Sequence, residues 1–132
     1  MDVYTCKAKS ARNGEWIYGY VASPDYMTNE LVLCASEFIV QRIDQDTICR
    51  CTGKRDKYNR MIFEHDIVVG KANVPMVVCW DNDYASFDVI YEEDGVVLYA
   101  NSLCGAEDKL EIMGNKFDNT ELMEVQNESK WY

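Results

Sequence analysis

The chain has 132 residues, an apolar fraction of 48% and a formal net charge of −10. A chain of this length and apolar content can bury a core of its own, so extensive disorder and a dependence on disulfides are excluded. Its apolar runs are too short to span a membrane as helices, and its first residues lack the basic and apolar pattern of a signal peptide. We therefore expect a protein of the cytoplasm, with no membrane partner.

Short apolar segments separated by turn residues predict ten strands. In chain order we place them at residues 3–7, 16–21, 31–34, 38–43, 47–51, 61–69, 74–80, 87–91, 96–100 and 110–113. Short strands at such regular spacing indicate a barrel or a sandwich. Asp94-Gly95 lies between two of them and is a strong hairpin signal, because both residue types tolerate a positive φ.

Helical periodicity is weak along the whole chain. The best candidate is one or two turns at residues 119–124, which Asn119 could cap. The predicted fold is therefore all-β, or mainly β, with two small lobes in one domain over residues 1–132. We expect an N-terminal β lobe at residues 1–50, a small SH3-like barrel lobe at residues 51–125, and a tail at residues 126–132.

The negative charge is concentrated in the last part of the chain. Residues 1–50 carry seven acids and five bases, residues 51–80 carry three acids and five bases, and residues 81–132 carry thirteen acids and three bases. Phosphates are repelled by such a surface, so direct binding of nucleic acid is disfavoured. The charge serves either solubility or the binding of a basic protein partner.

If the acidic surface is functional, its contacts come from the exposed acids after residue 80. The predicted partner-binding residues are Asp81, Asp83, Glu92, Glu93, Asp94, Glu107, Asp108 and Glu111. The partner would be a protein with a basic surface, such as the nucleic-acid groove of another protein.

One turn of the chain is basic instead. Lys54, Arg55, Lys57 and Arg60 lie close together there, and a solvated hairpin tip explains them. The alternative is that they contact the acidic part of a second copy, which would build a homo-oligomer.

Residues that could support catalysis or bind a metal are few. His65 is the only histidine and has acids rather than nucleophiles beside it, so a catalytic triad is disfavoured. Cys49 and Cys51 form the one close cysteine pair, whereas zinc sites usually need two such pairs or further histidines. We expect no enzymatic activity, no catalytic residue, no metal and no cofactor.

Aromatic side chains offer a second kind of binding site. Trp16, Tyr18 and Tyr20 alternate along one predicted strand and so share a face. Trp80, Tyr84, Phe87 and Tyr91 form a later group. Both groups are most simply core residues, and the alternative is a pocket that binds a small ligand such as a nucleotide.

The segment TGKRDKYNRMIFEHDIV, at residues 52–68, resembles the signature of the YopX family of phage and prophage proteins. The matching positions are Thr52, Gly53, Asp56, Lys57, Ile62, Phe63, Glu64, Asp66, Ile67 and Val68. Three further stretches agree in order, at residues 14–20, 77–87 and 112–122. His65 stands where the family usually has glycine, as does Asn59, and Thr120 replaces a usual proline.

The resemblance implies an all-β fold of two lobes, one of them a small barrel, and a phage or prophage source. It implies no established activity, so it assigns no catalytic residue. We therefore expect a phage-encoded, non-enzymatic accessory protein in the bacterial host cytoplasm, which binds a host or phage protein with a basic surface. One such partner is a host defence enzyme that holds nucleic acid, which the acidic C-terminal part would inhibit. The alternatives are a ligand-binding barrel and a structural protein that forms oligomers.

Overall fold

A computed structural model of the chain describes residues 6–23, 30–36 and 39–123. Within them lie eleven strands: β1 Cys6–Lys9, β2 Trp16–Ala22, β3 Val32–Ser36, β4 Ile39–Arg42, β5 Cys49–Arg55, β6 Met61–Phe63, β7 Asp66–Val69, β8 Met76–Asp81, β9 Ser86–Glu93, β10 Val96–Ser102 and β11 Glu111–Asn115. Two short 3-10 turns, Gln45–Thr47 and Glu107–Lys109, interrupt them. The prediction of a mainly β fold is confirmed.

The chain divides into two compact units, Met1–Cys51 and Thr52–Tyr132. In the first unit the strands follow the order β4-β3-β2-β1-β5, and each neighbouring pair with a resolved register is antiparallel. Its core consists of the buried residues Cys6, Ala8, Leu33 and Ile43. The predicted start of the first strand at residues 3–5 lies outside the described residues, as do Phe38 and the predicted tail.

Gly19 explains the Tyr-Gly-Tyr sequence of β2. A Cβ atom at Gly19 would lie only 2.3 Å from the carbonyl oxygen of Cys34 on β3. The two backbones approach each other too closely for any side chain at this position. Tyr18 and Tyr20, on either side, are exposed, whereas Ile17 packs against the core of the first unit. Taking the aromatic face of this strand as core was therefore wrong.

The second unit is built around a five-stranded antiparallel sheet in the order β10-β9-β8-β7-β11. Its apolar core contains the buried residues Ile62, Val68, Val78, Val89, Leu103 and Leu110. Among the described residues the sheet does not close into the expected barrel, because β10 and β11 remain its two edges.

The predicted single strand at residues 61–69 is two strands joined by a tight turn at Glu64-His65. His65 has φ +74°, a value that usually needs glycine or asparagine. Its position is fixed by its neighbours, because its backbone N–H donates to the carbonyl of Val78 at 2.8 Å and its carbonyl accepts from Lys116 N–H at 3.0 Å. The turn was missed because histidine gives no turn signal.

The end of the second unit departs from the expected cap. A helical turn begins at Thr120, but the side-chain oxygen of Asn119 accepts from the backbone N–H of Asn115, at 3.1 Å, and not from the helix. No helix in the described part of the chain is both long and apolar enough to cross a membrane.

Candidate functional site

The predicted acidic residues lie in three places in the second unit. Asp81 and Asp83 are at the β8–β9 turn, and Glu92, Glu93 and Asp94 are at the β9–β10 hairpin. Glu107, Asp108 and Glu111 are in and after the second 3-10 turn. The first two groups are at opposite ends of β9, whose eight residues span about 25 Å at the usual rise of a strand. The sheet therefore does not gather all eight acids into one patch.

Some of these acids already have partners. The Tyr91 hydroxyl donates to the Glu93 carboxylate. The carboxylate of Glu111 forms an ion pair with the ammonium group of Lys57 at 3.4 Å. The exposed acids Asp83, Glu92 and Asp108 remain on the surface. The acidic character predicted for this part of the chain is therefore spread around the unit.

The basic turn is occupied by internal contacts. The guanidinium of Arg55 donates to the carbonyl of Asn59 at 3.1 Å, Lys57 pairs with Glu111, and Arg60 pairs with Asp56 at 2.8 Å. A contact between this turn and a second copy would have to compete with these bonds.

Asp56 organises the basic turn from within. Its carboxylate is fully buried and accepts backbone hydrogen bonds from Tyr58 at 3.0 Å, Arg60 at 2.9 Å and Ile112 at 3.1 Å. Arg60 adds a side-chain bond at 2.9 Å from Nε. The carboxylate therefore ties the loop between β5 and β6 to β11.

Burial alone would raise the pKa of Asp56. The hydrogen bonds from Arg60, Ile112 and Tyr58 outweigh burial, so the pKa lies below its usual value and the group stays ionised in the folded protein. An ionised carboxylate with this many donors is a structural group, since its acceptor positions are already used.

β10 is the most exposed apolar element of the described chain. Val96, Val97, Leu98 and Tyr99 follow one another and are between 48% and 58% exposed. The strand pairs with β9 on one side, and no described strand pairs with its other side. Its residues Val96–Ser102 include no charge and no proline, the usual protections of a free sheet edge.

A groove of about 960 Å³ lies beside this strand, within the second unit. Its walls are formed by Lys57, Gly70, Lys71, Ala72, Val74, Met76, Tyr91, Tyr99, Ala106, Lys109 and Leu110. Met76 and Leu110 also belong to the apolar core of the unit or pack against it. The groove is therefore an opening onto the core, rimmed by three lysines.

A second and smaller cavity, of about 180 Å³, is lined by two residues of the later aromatic group. Trp80 and Phe87 line it, with their ring centroids 4.9 Å apart in an edge-to-face arrangement. Tyr84, predicted to join them, is 82% exposed on the β8–β9 turn, and Tyr91 lines the larger groove instead. The four aromatics therefore do not form one pocket.

The imidazole of His65 and the thiol of Cys79 have surroundings typical of structural groups. The His65 ring packs edge-on against Phe117, with centroids 5.4 Å apart. Burial raises the pKa of the Cys79 thiol, and the carboxylates of Asp88 and Asp81 raise it further, which opposes formation of a nucleophilic thiolate. No three His, Cys, Asp or Glu side chains of the described part converge on a place that could hold a metal ion.

Sequence reasoning singled out Lys57 for a different role and missed the other two lysines of the groove. Lys71 and Lys109 are 38 positions apart, and only the fold brings them to one cavity. A signal for β10 was present, because its four successive apolar residues break the alternation of a strand with one solvated face.

These observations define a class, namely a two-unit, mainly β protein whose distinctive surfaces are an apolar edge strand and a lysine-rimmed groove. The chain belongs to the YopX family: the family model described as YopX protein matches residues 9–124. The matched region covers parts of both units and the four stretches that carry the resemblance. No curated protein matches the chain.

Proposed function

We propose that this YopX-family chain is a phage-type accessory protein that acts by binding another protein, without catalysis of its own. The observation that carries the proposal is β10, an edge strand whose residues 96–99 are apolar and exposed. Contiguous exposed apolar surface usually marks a place where another protein binds. An edge strand can also extend its sheet through the backbone of a partner.

The charge around β10 supports a proposal for the kind of partner. Glu92 lies opposite Val97 across the β9–β10 pair, and Asp94 is in the hairpin turn. An apolar strand with acids beside it favours a partner whose apolar site is flanked by lysine or arginine. A host enzyme that holds nucleic acid in a basic groove has this chemistry, and its inhibition in the bacterial host cytoplasm is the function we propose.

The test is capture of partners from host lysate by the tagged protein, followed by calorimetry with the purified partner. Leu98→Lys places a charge in the apolar strand, and we expect it to weaken binding by at least about tenfold. Glu92→Lys removes charge complementarity, and we expect it to weaken binding most at low salt.

Two exposed positions away from β10 provide matched controls. Tyr84→Lys puts the same charge in place of an exposed aromatic on the β8–β9 turn, and Glu15→Lys reverses an exposed acid of the first unit. Both should bind as the unchanged protein does. Equal weakening by the controls, or full binding by Leu98→Lys, would reject β10 as the binding surface.

The structural alternative, an oligomer of this chain, is distinguished by light scattering. If β10 pairs with a second copy, the unchanged protein has a dimer or larger mass and Leu98→Lys has the mass of a monomer. These two masses would reject the proposal and show that β10 serves self-assembly. We expect a monomer mass for both proteins.

A further inference from the structure

We propose that the groove beside β10 binds a small anion that carries a flat ring, with a mononucleotide as the biological example. This proposal does not depend on the proposed protein-binding function, although Tyr99 belongs both to the exposed face of β10 and to the groove, and its test uses the purified chain alone. Its volume of about 960 Å³ is within the usual range for small-ligand sites, roughly 300–1,000 Å³.

The floor of the groove is apolar. Met76 packs against the buried core cluster, and Leu110 is part of it. Val74 and Ala72 continue this surface along the segment between β7 and β8. A ligand here would cover carbon surface that the fold leaves open, and removing that surface from water favours binding.

Two tyrosines give the groove a preference for a flat ring. Tyr91 on β9 and Tyr99 on β10 are register partners, so their side chains emerge side by side on one face of the sheet. Both hydroxyls are held: Tyr91 donates to Glu93, and Tyr99 accepts from the Asn101 amide at 3.2 Å. Held aromatic rings lose little entropy on binding, and stacking on them suits a nucleobase.

Three lysines give the groove its preference for an anion. Lys57 is paired with Glu111 at 3.4 Å. Lys71 and Lys109 also line the groove, and neither has an ion-pair partner among the described residues. Two unpaired ammonium groups at an apolar cavity attract phosphate even in a protein of net charge −10.

The overall acidity restricts the size of the anion. A nucleic acid strand would extend beyond the three lysines and meet the acids of the same unit, which repel its phosphates. A mononucleotide would place its few phosphates at the rim and its base against the tyrosines. A fatty acid would use the lysines and the floor but gain nothing from ring stacking, so it serves as the competing ligand in the test.

Calorimetry of the purified chain with ATP, adenosine, inorganic triphosphate and dodecanoate separates these contributions. We expect ATP to bind more tightly than adenosine and triphosphate by about tenfold or more, because only ATP uses both the rings and the lysines. Its affinity should fall as salt increases. No binding of ATP at about 1 mM, or tighter binding of dodecanoate than of ATP, would overturn the proposal.

Variants of the groove residues test whether the ligand binds in the groove. Lys71→Gln combined with Lys109→Gln should weaken the binding of ATP by about tenfold and leave the binding of adenosine unchanged. Tyr99→Ser should weaken the binding of both ligands. The matched control, Arg12→Gln combined with Arg42→Gln, removes two positive charges from the first unit. Equal loss in the control would show that net charge, and not the groove, attracts the ligand, and would reject the site.

Discussion

Asp56 and Arg60 are joined by two contacts to one carboxylate oxygen, with Nε and Nη2 of the arginine at 2.9 and 2.8 Å from Oδ2. The same Nη2 also donates to the carbonyl of Ile112 at 2.9 Å, while the Ile112 N–H donates to Asp56. Two residues of the β5–β6 loop thus satisfy both backbone groups of one residue on β11. The pair therefore holds the start of β11, which follows the groove residues Lys109 and Leu110 in the chain.

Asp56→Asn should destabilise the second unit. The amide keeps the shape of the carboxylate but replaces one acceptor oxygen with a donor, which leaves bonds to Arg60 or the backbone unmade. We expect a loss of about 3 kcal/mol in the free energy of unfolding, measured in urea. Asp83→Asn, the same change at an exposed acid, should cost less than about 0.5 kcal/mol.

The contribution of Asp56 should also depend on pH. Its pKa is lowered in the folded protein, so the unfolded chain takes up the proton first as the pH falls. The stabilisation is complete above the ordinary aspartate range and is lost as the pH falls from about 4 towards the lowered pKa. The stability gap between the unchanged protein and Asp56→Asn should therefore be constant near neutral pH and shrink below about pH 4. A gap that widens on acidification would contradict this assignment.

His65 should carry a measurable conformational cost. Its φ of +74° is strained for a residue with a Cβ, but its ring also packs against Phe117. His65→Ala loses the ring contact and keeps the strain, whereas His65→Gly loses both. We expect the glycine variant to be more stable than the alanine variant by about 1 kcal/mol in thermal or urea unfolding. The opposite order would mean that the backbone there is not constrained to a positive φ.

Gly114 and Asn119 should behave as a coupled pair. A Cβ at Gly114 would lie 2.3 Å from the side-chain oxygen of Asn119, which accepts the Asn115 N–H. Gly114→Ala should therefore cost at least about 1 kcal/mol more in the unchanged protein than in an Asn119→Ala background. Gly70→Ala is the control, because its added Cβ would lie 3.4 Å from Leu110, an ordinary contact. Additive effects at 114 and 119 would contradict the coupling.

The pair also links the residues of the closing segment of this chain, residues 112–122, to one another. Gly114 leaves room for the side chain of Asn119, and Asn115 is bonded to Asn119 through both its backbone groups. The Asn115 side-chain oxygen accepts from Phe117 and Asp118. The missing side chain of Gly114 and the bonds of Asn115 and Asn119 thus act in the same turn, and none of these bonds uses Thr120, which stands in the usual place of proline.

Pattern and composition were sufficient to place most strands. The alternation of apolar residues located β2, β8 and β9, and Asp94-Gly95 located the hairpin between β9 and β10, where both residues have positive φ. The pattern failed at Glu64-His65, because the turn there is imposed by bonds to Val78 and Lys116 and not by local residue preference. It also put the core on the wrong face of β2, because aromatic alternation does not reveal which face of the sheet is buried.

The sequence by itself determined that this protein is mainly β, acidic and a member of the YopX family, because strand periodicity, charge and ordered motifs are local properties. Tertiary structure alone decided that Asp56 is buried while its basic neighbours are not, since the donor that completes its site, Ile112, is 56 positions away. It alone decided that Lys71, Lys109, Tyr91 and Tyr99 share one groove and that β10 is the outermost strand of its sheet in the described part of the chain. Such sites are built from segments that are far apart in the sequence. Strand pairing brings these segments together only when the chain folds.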